Sequence, residues 1–375
     1  MIDELKELLE YLETILPADR EEKLNELYSS ALAWKEVPRL PLVFNYPLEG
    51  DIRFKPFPHQ EVFDNPEKML YNELVHAFGS SIALQPEIGD DRPYYIRANF
   101  GTVVIASMFG AKVEQKGDDP PWVRHYENWD EFRCIFDHNP YDFTVGECQR
   151  VLERCQFYRE ALTPYPRLSR IIRISLPDLQ GPLDNAELLR GIDIYTDFYE
   201  RPDEAQEVLR RMAVAQVAFA KHLRPFVDEP KDGLSAQHGV MLPGAILIRN
   251  DSSIMLSPKM YREMVAPHDE FVLHKLGGGG IHSCGRMSHL MTEFAALPSI
   301  LAIDIGQPEL NDLHSIYRTV SGKRIPLIRV KATEEELVSG RIMDLYPTGM
   351  SLICNASSIT DAHRIMDLYL KTTGC

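Results

Sequence analysis

Residues 277–285 have the sequence Gly-Gly-Gly-Gly-Ile-His-Ser-Cys-Gly. This stretch bears on both the fold and the candidate site. The glycines precede an apolar residue, and no Lys-Ser or Lys-Thr follows them, so the stretch is not a phosphate-binding loop of the P-loop type. We predict instead a tight helix-to-strand connection and a short strand at 280–282. His282 and Cys284 flank a single residue, so both side chains can turn toward one point at the end of that strand.

A second apolar run, Met350 to Ile353, ends at Cys354, which can lie at the same rim of the sheet. One imidazole and two thiolates are a favoured zinc set, and three protein ligands leave a fourth coordination position open for chemistry. The residues therefore predict a zinc site made of His282, Cys284 and Cys354. The alternative is that the cysteines are small buried apolar residues, since a His-x-Cys pair also arises by chance.

Eight apolar runs alternate with helical stretches along the chain, and each run predicts a strand. These runs are 40–45, 94–99, 171–176, 245–250, 280–282, 300–304, 326–330 and 350–354. Such alternation indicates parallel strands that are buried on both faces. We predict an α/β fold, a closed (β/α)8 TIM barrel over residues 37–375, with an open doubly wound sheet as the alternative. Residues 1–36 are predicted to be an N-terminal helical extension, and 111–143 an irregular loop or insertion.

The composition narrows the class of protein. The 375 residues could form two domains, but α/β barrels of this size commonly form one. A net charge of −16 with scattered basic residues makes nucleic-acid binding unexpected. No run approaches the ~18 apolar residues that a membrane span needs, so no membrane association is expected. Six cysteines without a regular framework, and no signal peptide, indicate a reducing cytoplasm. The oligomeric state is left open, a homodimer included.

Polar residues end most of the predicted strands, and the active sites of barrels lie at the carboxyl ends of the strands. The polar residues at these ends are Asn45, Arg97, Asn99, Asp178, Gln180, Asp251, His282, Cys284, Asp304, Arg329, Cys354 and Asn355. Each of them alone could equally be an ordinary turn residue. Asp304 follows the His282 strand, so we expect it beside the metal. It would be a fourth, exchangeable ligand or the acceptor for the ring N–H of His282.

The motif also resembles a known family. His282-Ser283-Cys284-Gly285 with the later Cys354 resembles the H-x-C…C zinc motif of the corrinoid-linked methyltransferases, within the uroporphyrinogen decarboxylase-like superfamily. The coenzyme M methyltransferases are its best-known members. Residues 176–184, Leu-Pro-Asp-Leu-Gln-Gly-Pro-Leu-Asp, resemble the strand-three loop of the superfamily, and 257–263 resemble the helix before the His strand. The likeness covers about residues 38–372.

The resemblance implies a methyltransferase. It would move a methyl group between methylcobalamin on a separate corrinoid protein and a thiol or another small acceptor, with Zn²⁺ activating the thiol. His282, Cys284 and Cys354 would hold the metal, and Asp304 would be the catalytic residue that tunes or completes the site. Cobalamin-independent methionine synthases have an acidic ligand at a comparable place. The predicted substrate-binding residues are Asn45, Asp178, Gln180 and Asp251.

The sequence also departs from part of the superfamily. True uroporphyrinogen decarboxylases carry an R-Q-A-G-R stretch after strand one that holds substrate carboxylates, whereas residues 44–48 here are Phe-Asn-Tyr-Pro-Leu. Porphyrinogen decarboxylation is therefore not expected. Two other functions stay open: a metal-free decarboxylase or lyase of the same superfamily that acts on a carboxylated substrate, and a non-catalytic corrinoid-binding or regulatory barrel.

Overall fold

The computed structural model of the chain describes residues 1–17, 20–47, 53–79, 89–228, 230–237 and 239–375. Its strands are β1 (Leu42–Asn45), β2 (Tyr95–Arg97), β3 (Lys112–Glu114), β4 (Trp122–Arg124), β5 (Arg173–Ser175), β6 (Leu234–Gln237), β7 (Val240–Pro243), β8 (Ile246–Arg249), β9 (Gly279–Ser283), β10 (Ile300–Ile305), β11 (Leu327–Lys331) and β12 (Met350–Asn355).

The first α-helices are α1 (Asp3–Ile15), α2 (Arg20–Leu32), α3 (His59–Val62), α4 (Pro66–Gly79), α5 (Val104–Ser107), α6 (Trp129–Phe132), α7 (Cys148–Leu162), α8 (Leu168–Ile171) and α9 (Pro182–Arg190). The remaining α-helices are α10 (Asp193–Glu200), α11 (Pro202–Leu223), α12 (Pro258–Met260), α13 (Ala266–Leu276), α14 (Met291–Phe294), α15 (Leu313–Ser321), α16 (Glu334–Val338), α17 (Arg341–Leu345) and α18 (Ile359–Thr373).

A parallel sheet of six strands carries the fold, in the order β1-β12-β11-β10-β9-β8, and β2 and β5 form a separate parallel pair. Each of the eight predicted apolar runs overlaps one of these strands. The predicted α/β fold with parallel strands is therefore confirmed. The runs are mainly apolar because both faces of these strands are covered by other elements.

The two faces of the six-stranded sheet pack against different elements. One face, which we name the hairpin face, packs on α2 and on the β6–β7 hairpin. The apolar cluster between this face, α2 and the hairpin contains Leu24, Tyr28, Leu32, Val43, Leu234, Val240, Met241, Leu242, Leu247, Ala302 and Ile328. The other face, which we name the helix face, carries Leu42, Phe44 and Leu352 and packs among helices such as α18. Successive residues of a strand alternate between the two faces, so strand register decides which face a side chain enters.

The predicted N-terminal helical extension contains the two helices α1 and α2, and each buries apolar residues on one side. Leu5, Leu8, Leu9 and Leu12 of α1 recur at helical spacing and are fully buried. The Glu13 carboxylate of α1 also accepts hydrogen bonds from the backbone N–H groups of Arg167 and Leu168 at the start of α8, at 3.0 and 2.9 Å. The N-terminal segment therefore packs against the rest of the chain on both its apolar and its polar sides.

Side chains cap the starts of two helices. The Ser257 side chain accepts a hydrogen bond from the Met260 backbone N–H, and Pro258 occupies the first helical position. Thr333 and Glu336 form a reciprocal capping box at the start of α16. A π-helical turn at Tyr261–Val265 separates α12 from α13.

Two antiparallel hairpins are not apparent from the sequence. Residues 111–143, predicted to be irregular, contain the hairpin β3–β4 and the short helix α6. The hairpin β6–β7 covers one face of the sheet although its strands have only four residues each. Runs this short, next to Gly and Pro residues, resemble loops in composition. Among the described residues, no helix is long and apolar enough to cross a membrane.

Candidate metal centre

Three neighbouring strands end at the candidate site. β8, β9 and β10 pair in parallel, and Arg249, His282 and Asp304 are aligned across them. Two positions earlier on the outer strands are Leu247 and Ala302, whose side chains lie on the hairpin face. Because side chains alternate along a strand, Arg249, His282 and Asp304 belong to that same face, at the carboxyl ends of the strands.

Asp251, His282 and Cys284 come together at this edge, with one ligand atom from each lying within 4.8 Å of the others. The Cys284 Sγ is 3.3 Å from the His282 Nε2, and the Asp251 Oδ1 is 3.6 Å from the same nitrogen. Tetrahedral zinc with ordinary bond lengths separates its ligand atoms by about 3.3–3.7 Å. The three side chains could therefore hold a metal ion, and nitrogen, sulfur and oxygen donors in this mixture suit zinc.

The His282 ring is held from behind by Asp304. The Nδ1 atom lies 2.8 Å from the Asp304 Oδ2, and both side chains are almost fully buried. Arg329 approaches the same carboxylate, with its Nε 3.3 Å from Oδ2. Burial lowers the pKa of His282, but the attraction of Asp304 and hydrogen bonds to Asp304 and Cys284 outweigh burial and raise this pKa to about 9. A carboxylate behind a ligating imidazole fixes the ring and directs Nε2 at the metal.

Asp251 is positioned by the chain that follows β8. Its Oδ1 accepts a hydrogen bond from the Cys284 backbone N–H at 2.5 Å. Asp184 at the start of α9 accepts the backbone N–H groups of Asp251 and Ser252, at 3.1 and 2.9 Å. Burial, followed by repulsion from Asp251, raises the pKa of Asp184 to about 6. The turn that carries Asp251 is therefore tied to both the His-x-Cys element and α9.

Gly306 lies against two of the three candidate ligands. A Cβ atom added there would lie 2.7 Å from the Cys284 Sγ and 2.9 Å from the His282 Cε1. Gly306→Ala is therefore expected to push these side chains apart and to weaken zinc binding by about tenfold or more, a loss typical of disturbed ligand orientation. Competition with a chromophoric chelator measures this affinity.

Gly322→Ala is the matched control for that variant, because its nearest neighbour would be a carbonyl oxygen 4.0 Å away. Gly322→Ala should leave the zinc affinity unchanged. Equal affinities of the parent and the Gly306→Ala variant would show that the metal is not held at this place.

The structure does not bring Cys354 to the other two predicted ligands. β12 is separated from β9 by β10 and β11, and Cys354 pairs with Phe44 of β1. Phe44 and Cys354 both belong to the apolar cluster of the helix face. Burial, followed by Glu334 and Asp361 on the neighbouring helices, raises the pKa of the Cys354 thiol to about 11. Cys354 thus faces away from the side of the sheet on which His282 lies, and Asp251 stands in the place predicted for it.

We name Asp251, His282 and Cys284 the metal group. A cavity of about 1000 Å³ has Asp178, Arg97 and Arg249 among its lining residues, and Arg249 is the register partner of His282. Gln180, also predicted to bind substrate, does not line it and donates its backbone and side-chain N–H groups to Asp178 at 3.0 and 2.9 Å. Asn45 is likewise outside the lining and accepts a hydrogen bond from Arg92.

Arg249, Asp184 and Gly306 contribute to the site and were not predicted from the sequence. Arg249 lies next to the end of a predicted strand and Asp184 in the strand-three loop, so position alone was a signal for both. Nothing in the sequence marks Gly306 beyond its place two residues after Asp304.

This edge of the sheet combines a His-Asp pair, a thiol and a second carboxylate. Three such protein ligands would leave one coordination position of a metal open for a substrate. No protein-family model matches the chain, and none of the curated proteins compared with it matches either.

Proposed function

We propose that the chain is a zinc-dependent methyltransferase that moves a methyl group between a corrinoid protein carrying methylcobalamin and a thiol or another small acceptor. The observation that carries the proposal is the group of Asp251, His282 and Cys284 at the carboxyl edge of the sheet. The ligand set of the proposal has Asp251 in the place predicted for Cys354.

We further propose that the eight parallel strands close into a barrel, with this site at its mouth. Two contacts support closure. The backbone N–H of Asp91, ahead of β2, donates to the Leu42 carbonyl of β1 at 2.8 Å. Gly181, beyond β5, lies so close to β8 that an added Cβ would be 2.0 Å from the Arg249 carbonyl oxygen. The β2–β5 pair thus adjoins both edge strands of the six-stranded sheet, as a barrel requires.

In this proposal the chain holds and orients the reacting groups. Asp304 and Arg329 fix the His282 ring, and Asp184 fixes the turn of Asp251. When bound, the metal would lower the pKa of an incoming thiol and hold its sulfur at the position that the three side chains leave open. The thiol proton would leave to solvent, the sulfur would bond to the methyl carbon of the methylcobalamin substrate, and the cobalt–carbon bond would break with its electron pair kept by cobalt.

Zinc quantification and a methyl-transfer assay on the purified chain test the proposal together. We expect close to one equivalent of zinc after purification without chelators, and demethylation of methylcobalamin in the presence of one member of a thiol panel. Cys284→Ala should abolish the transfer and Cys354→Ala should retain it. Less than about a tenth of an equivalent of zinc, or equal activity in the Cys284→Ala variant and the parent, would contradict the proposed mechanism.

A second candidate is a decarboxylase or lyase of the same superfamily, without metal chemistry. The observation in its favour is Asp178 in the cavity, with the Arg249 Nη2 at 2.7 Å and the Arg97 Nη1 at 3.8 Å from its Oδ2. There the substrate carboxylate would leave as carbon dioxide and a proton would take its place. Turnover that persists after complete removal of zinc would favour this reaction over methyl transfer.

A further inference from the structure

Two arginines that line the cavity, Arg97 and Arg249, do not use all of their hydrogen-bond donors within the described part of the chain. We name these arginines, together with Asp178 and Glu73 of the same lining, the floor of the cavity. Arg97 ends β2 and Arg249 ends β8, and their side chains are 25% and 20% exposed. Among the described residues, the one hydrogen bond from the Arg97 guanidinium is to the Asn99 Oδ1, at 3.5 Å. The Arg249 Nε is buried and has no hydrogen-bond partner among those residues. A buried donor without an acceptor is costly, so the Arg249 Nε indicates a ligand or water that supplies an acceptor near it.

The two carboxylates on the same floor are, by contrast, already engaged by the fold. The Asp178 Oδ1 accepts two N–H groups of Gln180, and its Oδ2 accepts the Arg249 Nη2. Glu73 accepts the Arg97 backbone N–H at 3.1 Å and the Asn99 side-chain amide at 2.8 Å. The formal charges of these two acids and the two arginines cancel. An anion would therefore be bound by directed donors and not by net positive charge.

Guanidinium groups recognise carboxylates through paired, charge-assisted hydrogen bonds. The N–H groups of Arg97 and Arg249 that have no acceptor among the described residues could therefore bind a carboxylate. The walls of the same cavity are partly apolar and include Val62, Met69 and Trp122. Arg249 is the register partner of His282 on the adjacent strand, which places its backbone about 4.8 Å from that of the metal group. A molecule held on the floor would thus lie beside the metal group.

We infer that Arg97 and Arg249 form a subsite for the carboxylate of a small organic acid, with the apolar part of the acid against Val62, Met69 and Trp122. The inference rests on the proposed function in one respect, that the reacting end of the acid is directed toward the metal group. The carboxylate subsite itself does not require the metal.

Calorimetric titration of the full chain with benzoate, benzamide and inorganic phosphate tests the inference. Benzoate should bind saturably, and benzamide, which has the same shape without the charge, should bind at least about tenfold more weakly. Phosphate, which lacks an apolar part, should also bind more weakly than benzoate. Benzamide or phosphate binding as tightly as benzoate, or no saturable benzoate binding, would overturn the inference.

Variants of Arg97 and Arg124 locate the binding. Arg97→Gln should weaken benzoate binding at least about tenfold, and Arg97→Lys should restore part of the loss. Arg124→Gln is the matched control, because Arg124 also lines the cavity but is exposed and paired with Glu127 at 2.7 Å. Equal weakening by Arg97→Gln and Arg124→Gln would overturn the assignment. Circular dichroism checks that each variant is folded, and the comparison of benzoate with benzamide on the unaltered chain needs no variant.

The same titrations and the methyl-transfer assay, both on the chain purified without chelators, separate this inference from the proposed function. Charge-dependent benzoate binding in a chain without methyl-transfer activity would remove the methyltransferase and leave the subsite. Methyl transfer in a chain that does not distinguish benzoate from benzamide would do the reverse.

Discussion

Replacing Cys284 by Ala is expected to weaken zinc binding by about a hundredfold or more, because one of three candidate ligands is lost and even residues behind the ligands are worth 10–100-fold. The Cys284 Sγ lies 3.3 Å from the His282 Nε2, at the separation expected for two ligands of one ion. The Cys354→Ala variant should bind zinc as tightly as the parent, because the Cys354 thiol lies among the apolar residues of the helix face. Competition with a chromophoric chelator measures both variants.

The two cysteine variants form a matched pair, because each removes one free thiol from the same chain. Cys354→Ala should only cost some stability, which thermal unfolding followed by circular dichroism reports. A loss of zinc affinity in Cys354→Ala that equals the loss in Cys284→Ala would restore the ligand set expected from the sequence. An unchanged affinity in both variants would remove zinc from this edge of the sheet.

Cys354 was predicted to be a metal ligand, but its side chain lies on the helix face. An apolar run does not reveal which face of the sheet each side chain enters. Residues 350–353 are followed by a cysteine and show no polar alternation, because β12 is covered on both faces. Which face the thiol enters is decided by register, and Cys354 pairs with Phe44, whose side chain is on the helix face. A strand buried on both faces carries no mark of its register in its own sequence, so the third ligand could not be assigned from it.

The parts that could be predicted depend on spacing within one strand. His282 and Cys284 are two positions apart, so a strand and its continuation direct them to the same side, and the structure groups them. Asp304 was expected beside the metal because consecutive parallel strands are neighbours, and it lies behind the His282 ring. Asp251 was predicted at the site as a substrate-binding residue. Its grouping with the ligands depends on a turn held by Asp184, sixty-seven positions away.

A buried carboxyl near the centre gives the second large expected effect. Asp269 of α13 is fully buried and accepts hydrogen bonds from the Tyr261 hydroxyl at 2.8 Å and from the Asn250 side-chain amide. Its Oδ1 has no partner among the described residues. Burial is the largest influence and, against the two hydrogen bonds, raises the pKa of Asp269 from 3.8 to about 7. Asn250 in turn donates its backbone N–H to the His282 carbonyl at 2.8 Å, so this network supports the strand that carries the site.

A raised carboxyl pKa makes the folded chain bind a proton more tightly than the unfolded chain between about pH 4 and pH 7. Over that window the free energy of unfolding falls as pH rises, because ionising Asp269 costs more in the folded state. Above the folded pKa the penalty is constant. Between about pH 4.5 and pH 7.5 the penalty from this one group grows by about 3 kcal/mol, at 1.36 kcal/mol for each pKa unit.

Asp269→Asn should remove this dependence, since the amide keeps the acceptor for Tyr261 and Asn250 and cannot ionise. The difference in unfolding free energy between variant and parent should therefore shift by about 3 kcal/mol in favour of the variant from about pH 4.5 to pH 7.5. Urea unfolding at the two pH values measures the shift. Glu263→Gln removes an exposed carboxyl from the neighbouring helical turn and should follow the parent at both pH values. Parallel profiles of the Asp269→Asn variant and the parent would mean that Asp269 titrates alike in the folded and unfolded chain, and that burial does not keep its network neutral.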